Sequence, residues 1–269
     1  MNNLLFQTTI NDNTGGVVPP SYTSEYTAVL NLATAQGFAL PSDPTKTAHN
    51  ALIVALKAAG LWSEFDLLNI YYGDMAQDFA RINWVNPVAG ALATLVNAPT
   101  YTNKRGFNSD GTTSYILTGF NPSTGTNYTL NDAAAGYFGY NDVVSNRIFG
   151  GSGGGGGSIG ITANSGAASQ INMNSVTTSN LTLSTNAGLV GGVRTDASTV
   201  SLYRNATSLG TASAASSGLP TTLRALSSGA AFAPNTWQVQ AAFAGSSTLY
   251  ADGGTAISTA FNALMATSL

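Results

Sequence analysis

Cysteine is absent from this chain of 269 residues, and histidine occurs only once, as His49. Without cysteine there can be no disulfide, no thiol nucleophile and no thiolate metal ligand. A single histidine also excludes a multi-histidine metal site within one chain. The sequence therefore excludes several common kinds of catalytic and metal centre.

Charged residues are scarce. Asp, Glu, Lys and Arg make up 8% of the chain, whereas a typical soluble domain carries about 25%. The surface must therefore be covered by Ser, Thr, Asn, Gly and Ala, as is common in β-rich extracellular or particle-bound proteins. The net charge is −3, and no basic patch is visible, so we expect no nucleic-acid binding.

Long apolar runs are missing too. The longest, ALIVALKAAGLW, is interrupted by Lys57 and is too short to span a bilayer. The opening MNNLLFQTTI lacks the basic start and the apolar length of a signal peptide. We expect no membrane insertion and no export by the usual secretory signal. With 43% hydrophobic residues, the chain can still build a core.

The first hundred residues carry helix signals. SEYTAVLNLATAQG predicts a helix with Ser24 as N-cap and Gly37 as its stop. DPTKTAHNALIVALKAAG predicts a second helix capped by Asp43. The shorter SEFDLLNIYYG, from Ser63, predicts a helical turn that runs into a strand. Near the chain end, GTAISTAFNALMATSL predicts a helix capped by Thr255, with an apolar stripe that must dock on a sheet or a neighbouring chain.

From about residue 75 the pattern becomes one of short strands separated by Gly, Asn, Asp and Pro turns. In TWQVQAAF, alternation would place Trp237, Val239, Ala241 and Phe243 on one face. Such spacing is typical of a sandwich or barrel. We predict a mainly β fold, an antiparallel jelly-roll β-sandwich with N-terminal helices and a C-terminal helix.

The glycine-rich segment GGSGGGGGSIG, Gly150–Gly160, lies between two strand-like pieces of similar composition. A linker there would leave half a sandwich with its inner face exposed. We therefore interpret it as an internal loop, either an exposed tip or a contact between symmetry-related chains. The predicted division is an N-terminal attachment and helical segment, 1–75, and a sandwich with the terminal helix, 76–269.

Motifs for cofactors are weak. The glycine run contains a formal G-x-G-x-x-G, but no helix and no Gly-Lys-Ser/Thr follow it, so we expect no nucleotide. NSDGTT, 108–113, lacks the further carboxylates of a calcium loop, so Asp110 indicates a turn. We predict no cofactor and no metal site.

Several blocks of sequence resemble a known family. GFNSDGTTSYILTGFNPST (106–124) resembles the first core strand of concanavalin A-like, laminin-G-like jelly rolls, and VRTDASTVSLYRNATSLG (193–210) resembles a later hairpin of that fold. The order of these blocks between HNALIVALKAAGLW and YADGGTAISTAFNALMATSL is similar to a family of bacteriophage virion proteins that form tail, fibre or capsid-decorating components. The resemblance covers most of residues 45–269, and it implies a jelly-roll fold and a virion location.

Jelly rolls of this type include glycoside hydrolases with an E-x-D-x-x-E strand, whose acids share one cleft. Here Glu64 and Asp66 match, but Asn69 stands in place of the acid/base, and an amide cannot protonate a leaving group. A serine hydrolase would need His49, which lies in a predicted helix without a G-x-S-x-G elbow. We expect no enzyme activity and no catalytic residues.

Sugar binding without catalysis needs exposed rings beside amide, hydroxyl and acid groups. YFGYND offers Tyr137, Tyr140, Asn141 and Asp142 as a surface constellation for a glycan. The alternative is that these are ordinary aromatics at a strand edge. Trp84 and Trp237 lie in alternating strands and are predicted to be core residues.

The function predicted from the sequence is a non-enzymatic structural or accessory component of a bacteriophage particle. A host-glycan-binding adhesin is the second hypothesis, and a glycoside hydrolase the third. The predicted partners are other virion proteins, further copies of this chain, for which a trimer is the usual arrangement in fibres, and host-surface glycans. The predicted location is the virion, assembled in the host cytoplasm.

Overall fold

A computed structural model describes residues 21–142, 148–152, 157–162, 169–181, 183–228 and 231–267. Helices flank the β-rich part of the chain at both ends. The helices are α1 (Ser24–Ala35), α2 (Asp43–Ala58) and α3 (Thr255–Met265). The strands are β1 (Phe65–Ile70), β2 (Thr94–Val96), β3 (Thr100–Thr102), β4 (Gly106–Asn108), β5 (Tyr115–Leu117), β6 (Ala133–Gly139), β7 (Phe149–Ser152), β8 (Ser158–Thr162), β9 (Ser169–Ser175), β10 (Ser179–Leu181), β11 (Gly188–Arg194), β12 (Thr199–Arg204), β13 (Thr207–Ser213), β14 (Arg224–Ala225) and β15 (Gln238–Gly245).

The strands form two antiparallel sheets. Sheet A has the order β13-β12-β11-β6-β15-β4-β3, with β1 also paired to β15. Sheet B has the order β10-β9-β8-β7-β14-β5-β2. The prediction of a mainly β antiparallel sandwich with helices at both ends is confirmed.

The core between the sheets is aromatic and aliphatic. Tyr137 of sheet A packs 5.2 Å from Trp237 and 6.0 Å from Phe149 of sheet B, measured between ring centroids. On sheet B, Ile161 and Ile171 are paired on the same inner face and are fully buried. Burial of these side chains between the two sheets stabilises the sandwich.

The outer face of sheet A is also covered, because α3 docks on it. Phe261 of α3 stacks 6.4 Å from Phe138 of β6 and lies 6.1 Å from Phe243 of β15. Every residue of β6 is consequently buried. The predicted docking of the terminal helix on a sheet is confirmed. No helix in the described part of the chain is long and apolar enough to cross a membrane.

The expected alternation in TWQVQAAF is wrong, because a bulge interrupts β15 between Val239 and Ala241. Trp237 faces the core between the sheets, whereas Phe243 faces α3. An extra residue in one strand of a ladder reverses the faces of the residues beyond it. Because of the bulge, Trp237 and Phe243, which strict alternation would put on one face, lie on opposite sides of sheet A.

The N-caps of the first two helices lie one residue before the predicted caps, Ser24 and Asp43, which are the first helical residues. The side chain of Thr23 accepts from the backbone of Tyr26, so Thr23, not Ser24, is the N-cap of α1. Ser42, not Asp43, caps α2. At α3, Thr255 is the first helical residue, and the carboxylate of Asp252 accepts from the first backbone N–H groups. Ser, Thr and Asp all serve such termini, so sequence alone places a cap only to within a residue or so.

The N-terminal helices meet the sandwich around His49, which is fully buried. Its Nδ1 lies 3.1 Å from the hydroxyl of Tyr26 on α1, and its Nε2 lies 2.8 Å from the backbone oxygen of Tyr72, after β1. Its ring also packs 4.8 Å from that of Trp84. His49 is thus the packing residue that links α1, α2 and the segment after β1.

The glycine-rich segment begins and ends in paired strands. Gly150 pairs with Gly160, and Ser152 with Ser158, in the antiparallel β7–β8 pair. Residues 153–156 of the predicted loop lie outside the described residues. The division at residue 75 stays a prediction, although β1, on its N-terminal side, is a strand of sheet A.

Candidate functional site

The predicted YFGYND constellation is divided by the structure. Tyr137 is fully buried between the sheets, where burial raises the pKa of its hydroxyl well above the ordinary value. The expectation that Tyr137 is a surface residue is therefore wrong. Its strand is covered on both faces, which period-two alternation does not reveal.

The other three residues of that constellation lie at the surface. Tyr140 is 43% exposed and is covered on one face by the guanidinium of Arg105, 5.3 Å from the ring centroid. Asn141 accepts from the backbone of Gln238, and its amide donates to a neighbouring carbonyl. Asp142 accepts from the backbone of Asn186. The two polar side chains thus hold loops together, and glycan binding at this place stays a prediction.

The acids considered for hydrolysis are engaged in structural contacts. Glu64 accepts from the hydroxyl of Ser246 at 2.6 Å. Asp66 lines a pocket of about 480 Å³, and its carboxylate accepts from the backbone N–H groups of three successive residues, 126–128. Asn69 is fully buried and donates to the carbonyl of Ile82. The three positions therefore do not share one open cleft.

A second pocket lies on the outer face of sheet B. Strand pairing sets Gly150, Gly160 and Asn172 side by side across β7, β8 and β9, and Arg224 of β14 pairs with Gly150. Their strand neighbours are the buried residues that face the core, so these four face outward. The pocket has a volume of about 510 Å³, within the range of small-ligand sites.

The lining of this sheet B pocket is polar and carries no acid. Among the described residues that line it, none is Asp or Glu. Its described hydroxyl and amide side chains are Ser152, Ser158, Thr162, Gln170, Asn172, Thr178 and Ser228. Val176 is 69% exposed and provides an apolar surface at the same place. Such a lining offers many neutral hydrogen-bond donors and acceptors together with one apolar contact.

The floor of the pocket depends on Gly160. A Cβ added there would lie 2.4 Å from Oδ1 of Asn172, so the glycine leaves room for that amide to lie over the strand. The amide nitrogen of Asn172 in turn donates to the hydroxyl of Ser158. These three residues form a low polar floor because the middle one has no side chain.

Among the described residues that line the pocket, Arg224 is the only charged one. Its guanidinium lies 4.8 Å from the ring centroid of Tyr115, a cation–π contact that fixes its plane. Its Nε is buried and has no hydrogen-bond partner in the described part of the chain, and neither has the buried hydroxyl of Ser228. These two atoms are closed off from solvent, whereas the terminal nitrogens of the guanidinium are not buried in this way and make no described hydrogen bond, so they can bind a ligand.

The pocket was missed from the sequence, although part of its signal is visible. In SIGIT, Ser158, Gly160 and Thr162 alternate with isoleucines, and in SQINMN the residues Gln170 and Asn172 alternate with Ile171 and Met173. Two successive strands that each carry one polar face indicate a sheet surface that faces solvent. Arg224 lies in a two-residue strand more than 50 positions later, and only the fold brings it to the same place.

The protein is thus a two-sheet antiparallel β-sandwich with a polar pocket on one outer face. It is similar to a mutant of Trypanosoma rangeli sialidase displaying trans-sialidase activity, with 9% sequence identity and a TM-score of 0.52 over 82% of this chain and 39% of that chain. The binding domain of botulinum neurotoxin serotype D gives 10% identity and a TM-score of 0.47 over 75% of this chain and 52% of that chain.

This chain therefore spans about half the length, or less, of these two solved chains. Neither a protein-family model nor a curated protein matches the sequence. At 9% identity the likeness to the sialidase structure concerns the fold alone, and it agrees with a β-sandwich.

Proposed function

We propose that this protein binds glycans through the sheet B pocket. The observation that carries the proposal is a pocket lined by hydroxyls and amides over a glycine floor, with no acid among its described lining residues. Sugars present alternating hydroxyl donors and acceptors and an apolar ring face. Asn and Gln amides match the hydroxyls, because each amide both donates and accepts, while Val176 offers contact to the ring face.

The proposed role is binding without catalysis. Retaining and inverting glycosidases of the usual kinds need a pair of carboxyl groups on either side of the scissile bond. The sheet B pocket offers none among its described residues, and Glu64 and Asp66 are held by a hydroxyl and by backbone N–H groups elsewhere. A glycan bound in the pocket would therefore meet no acid/base pair.

We further propose that the protein is an accessory component of a bacteriophage particle, in contact with other virion proteins and with copies of itself, where the pocket would bind host-surface glycans. The support is the order of sequence blocks between residues 45 and 269 that resembles such virion proteins. Peptide mass spectrometry of purified particles tests this placement, since the protein should be present at a fixed copy number. Its absence from washed particles would contradict the placement without affecting glycan binding.

Gly160→Ala is expected to weaken glycan binding at least tenfold, equivalent to about 1.4 kcal/mol. The added methyl group displaces the Asn172 amide from the floor, because it would otherwise lie 2.4 Å from Oδ1. The strand itself should tolerate alanine, since the close contact is the end of a flexible side chain. A glycan array identifies ligands of the wild-type chain, and isothermal titration calorimetry compares the two proteins.

Gly90→Ala is the matched control, since a Cβ at Gly90 meets nothing within 4 Å. Both variants should keep the wild-type unfolding temperature within a few degrees. If Gly160→Ala and Gly90→Ala both bind the glycan as tightly as the wild type, the sheet B pocket is not the glycan site. If the wild-type chain binds no glycan at high valency, the proposed function itself is wrong.

A further inference from the structure

We infer that the glycan bound in the sheet B pocket is acidic, and that Arg224 binds the carboxylate of one of its sugar units. This inference rests on the proposed function, because it names the chemical class of the ligand at that site. It follows from the hydrogen bonding of Arg224, from the charges around it and from the groups beside it.

The hydrogen bonding of Arg224 is incomplete. Its Nε is buried without a partner in the described chain, and no described hydrogen bond or ion pair involves its guanidinium. The terminal nitrogens of the guanidinium also make no described hydrogen bond, but they are not buried in this way, so a carboxylate in the pocket can accept from both of them at once.

The electrostatic surroundings favour an anion. The whole chain has a net charge of −3, yet Arg224 is the only charged residue that lines this pocket in the described structure. An incoming carboxylate therefore meets one positive charge and no nearby negative lining residue. A neutral sugar would leave the guanidinium without its strongest kind of acceptor.

The positioning of Arg224 favours recognition over a general surface charge. Tyr115 covers one face of the guanidinium at 4.8 Å, so the planar group presents its edge to a ligand in a restricted orientation. Other hydroxyl and amide side chains that line the same pocket, such as Ser152, Gln170 and Thr178, can bond to the hydroxyl groups of a sugar. Together these groups fit a carboxylate attached to a polyhydroxylated ring.

The test compares acidic glycans with neutral counterparts in which each carboxyl group is reduced to a primary alcohol. Sialyllactose and a galacturonic acid trisaccharide are each compared with their carboxyl-reduced forms by isothermal titration calorimetry with the full chain. A sulfated lactose shows whether another anion replaces the carboxylate. The wild type should bind the carboxylated member of at least one pair tenfold or more tightly than its neutral partner.

The ratio of the affinity for the acidic ligand to that for its neutral partner should fall to about one in Arg224→Gln. In Arg224→Lys it should take an intermediate value, because lysine keeps the charge but lacks the planar fork. Arg105→Gln is the matched control, since Arg105 also stacks on a tyrosine but lies on sheet A. Its ratio should equal that of the wild type.

Three outcomes overturn the inference. Equal affinity of the wild type for both members of every pair shows that the ligand is a neutral glycan, which leaves the proposed function intact. If the affinity ratio is unchanged in Arg224→Gln, a residue other than Arg224 binds the carboxylate. If the wild type prefers sulfate to carboxylate, the ligand of the site is a different anion. Binding to no glycan, acidic or neutral, overturns this inference and the proposed function together.

Discussion

Replacing Arg194 by methionine is expected to lower the free energy of unfolding by about 3 kcal/mol. Arg194 is fully buried at the end of β11 and donates only to backbone carbonyls. Nε reaches the oxygen of Met173 on β9 at 2.8 Å, and Nη2 reaches that of Ala214 at 2.9 Å. Nη1 donates to the oxygen of Asp196 at 3.1 Å.

The cost arises because two of these three hydrogen bonds, those to Met173 and Ala214, connect separate parts of the sandwich. Arg194 belongs to sheet A, Met173 to sheet B, and Ala214 follows the edge strand β13. Methionine fills much of the same volume but donates nothing, so buried carbonyls lose their donors at about 1–3 kcal/mol each. Removal of a buried charge offsets part of that loss, which leaves the net effect near 3 kcal/mol.

Urea unfolding followed by tryptophan fluorescence measures the change. Arg204→Met on the adjacent strand β12 is the control, because Arg204 is only half-buried and donates through Nε to a single carbonyl, that of Ala187. It should cost less than 1 kcal/mol, as is usual for a position near the surface. Equal losses in the two variants would show that Arg194 does not hold the sheets together.

Much of the fold could be predicted from the sequence because local signals and tertiary packing agree. The apolar stripe of α3 needs a surface to cover, and Phe138 and Phe243 provide one. The first two helices begin within one residue of their predicted caps, since several short polar side chains near each start can serve. The turn at Asp110 is also as predicted, because its carboxylate accepts from the backbone of Thr112, Thr113 and Ser114.

The predictions that are wrong concern which face of a strand a residue occupies. Tyr137 is buried although polar residues follow it in YFGYND, because its face of β6 packs on Phe149 of sheet B and on Trp237. The bulge after Val239 reverses the alternation that placed Phe243 beside Trp237. Neither effect has a signal within the strand itself, since one depends on the opposite sheet and the other on strand pairing.

The candidate site was missed for a related reason. Its floor comes from β8 and β9, and its charge from β14, which reaches them through β7. No short motif contains these residues together. The sequence predicts a glycan site at YFGYND because aromatic, amide and acid groups lie close together in that segment. A site on a sheet surface is instead formed by alternate residues of neighbouring strands.

Lowering the pH from 7 to 5 is expected to reduce the free energy of unfolding by about 2 kcal/mol through His49. Desolvation by burial lowers the pKa of His49 from 6.5 to about 4. The backbone oxygen of Tyr72 and the negative charge of Asp74 favour the protonated form but do not overcome burial. The unfolded chain therefore binds a proton below pH 6.5, while the folded chain resists it until about pH 4.

The free energy of unfolding decreases as the pH falls, because the unfolded state binds the proton more readily and is therefore favoured at lower pH. The contribution of neutral His49 is complete above pH 6.5 and decreases as the pH falls towards 4. Carboxylates do not obscure the window between pH 7 and 5, since their unfolded pKa values lie near 4. His49 is the only histidine of the chain, so the slope in this window reports on one residue.

Urea unfolding of the wild type and of His49→Gln at pH 7, 6 and 5 measures the slope. The variant should be less stable than the wild type at pH 7, because the contact with the Tyr26 hydroxyl is lost, yet it should lose little more between pH 7 and 5. Its curve should therefore approach that of the wild type as the pH falls. An equal slope in both proteins would show that His49 is not held neutral by the fold, and that the link between α1, α2 and the segment after β1 tolerates a charge.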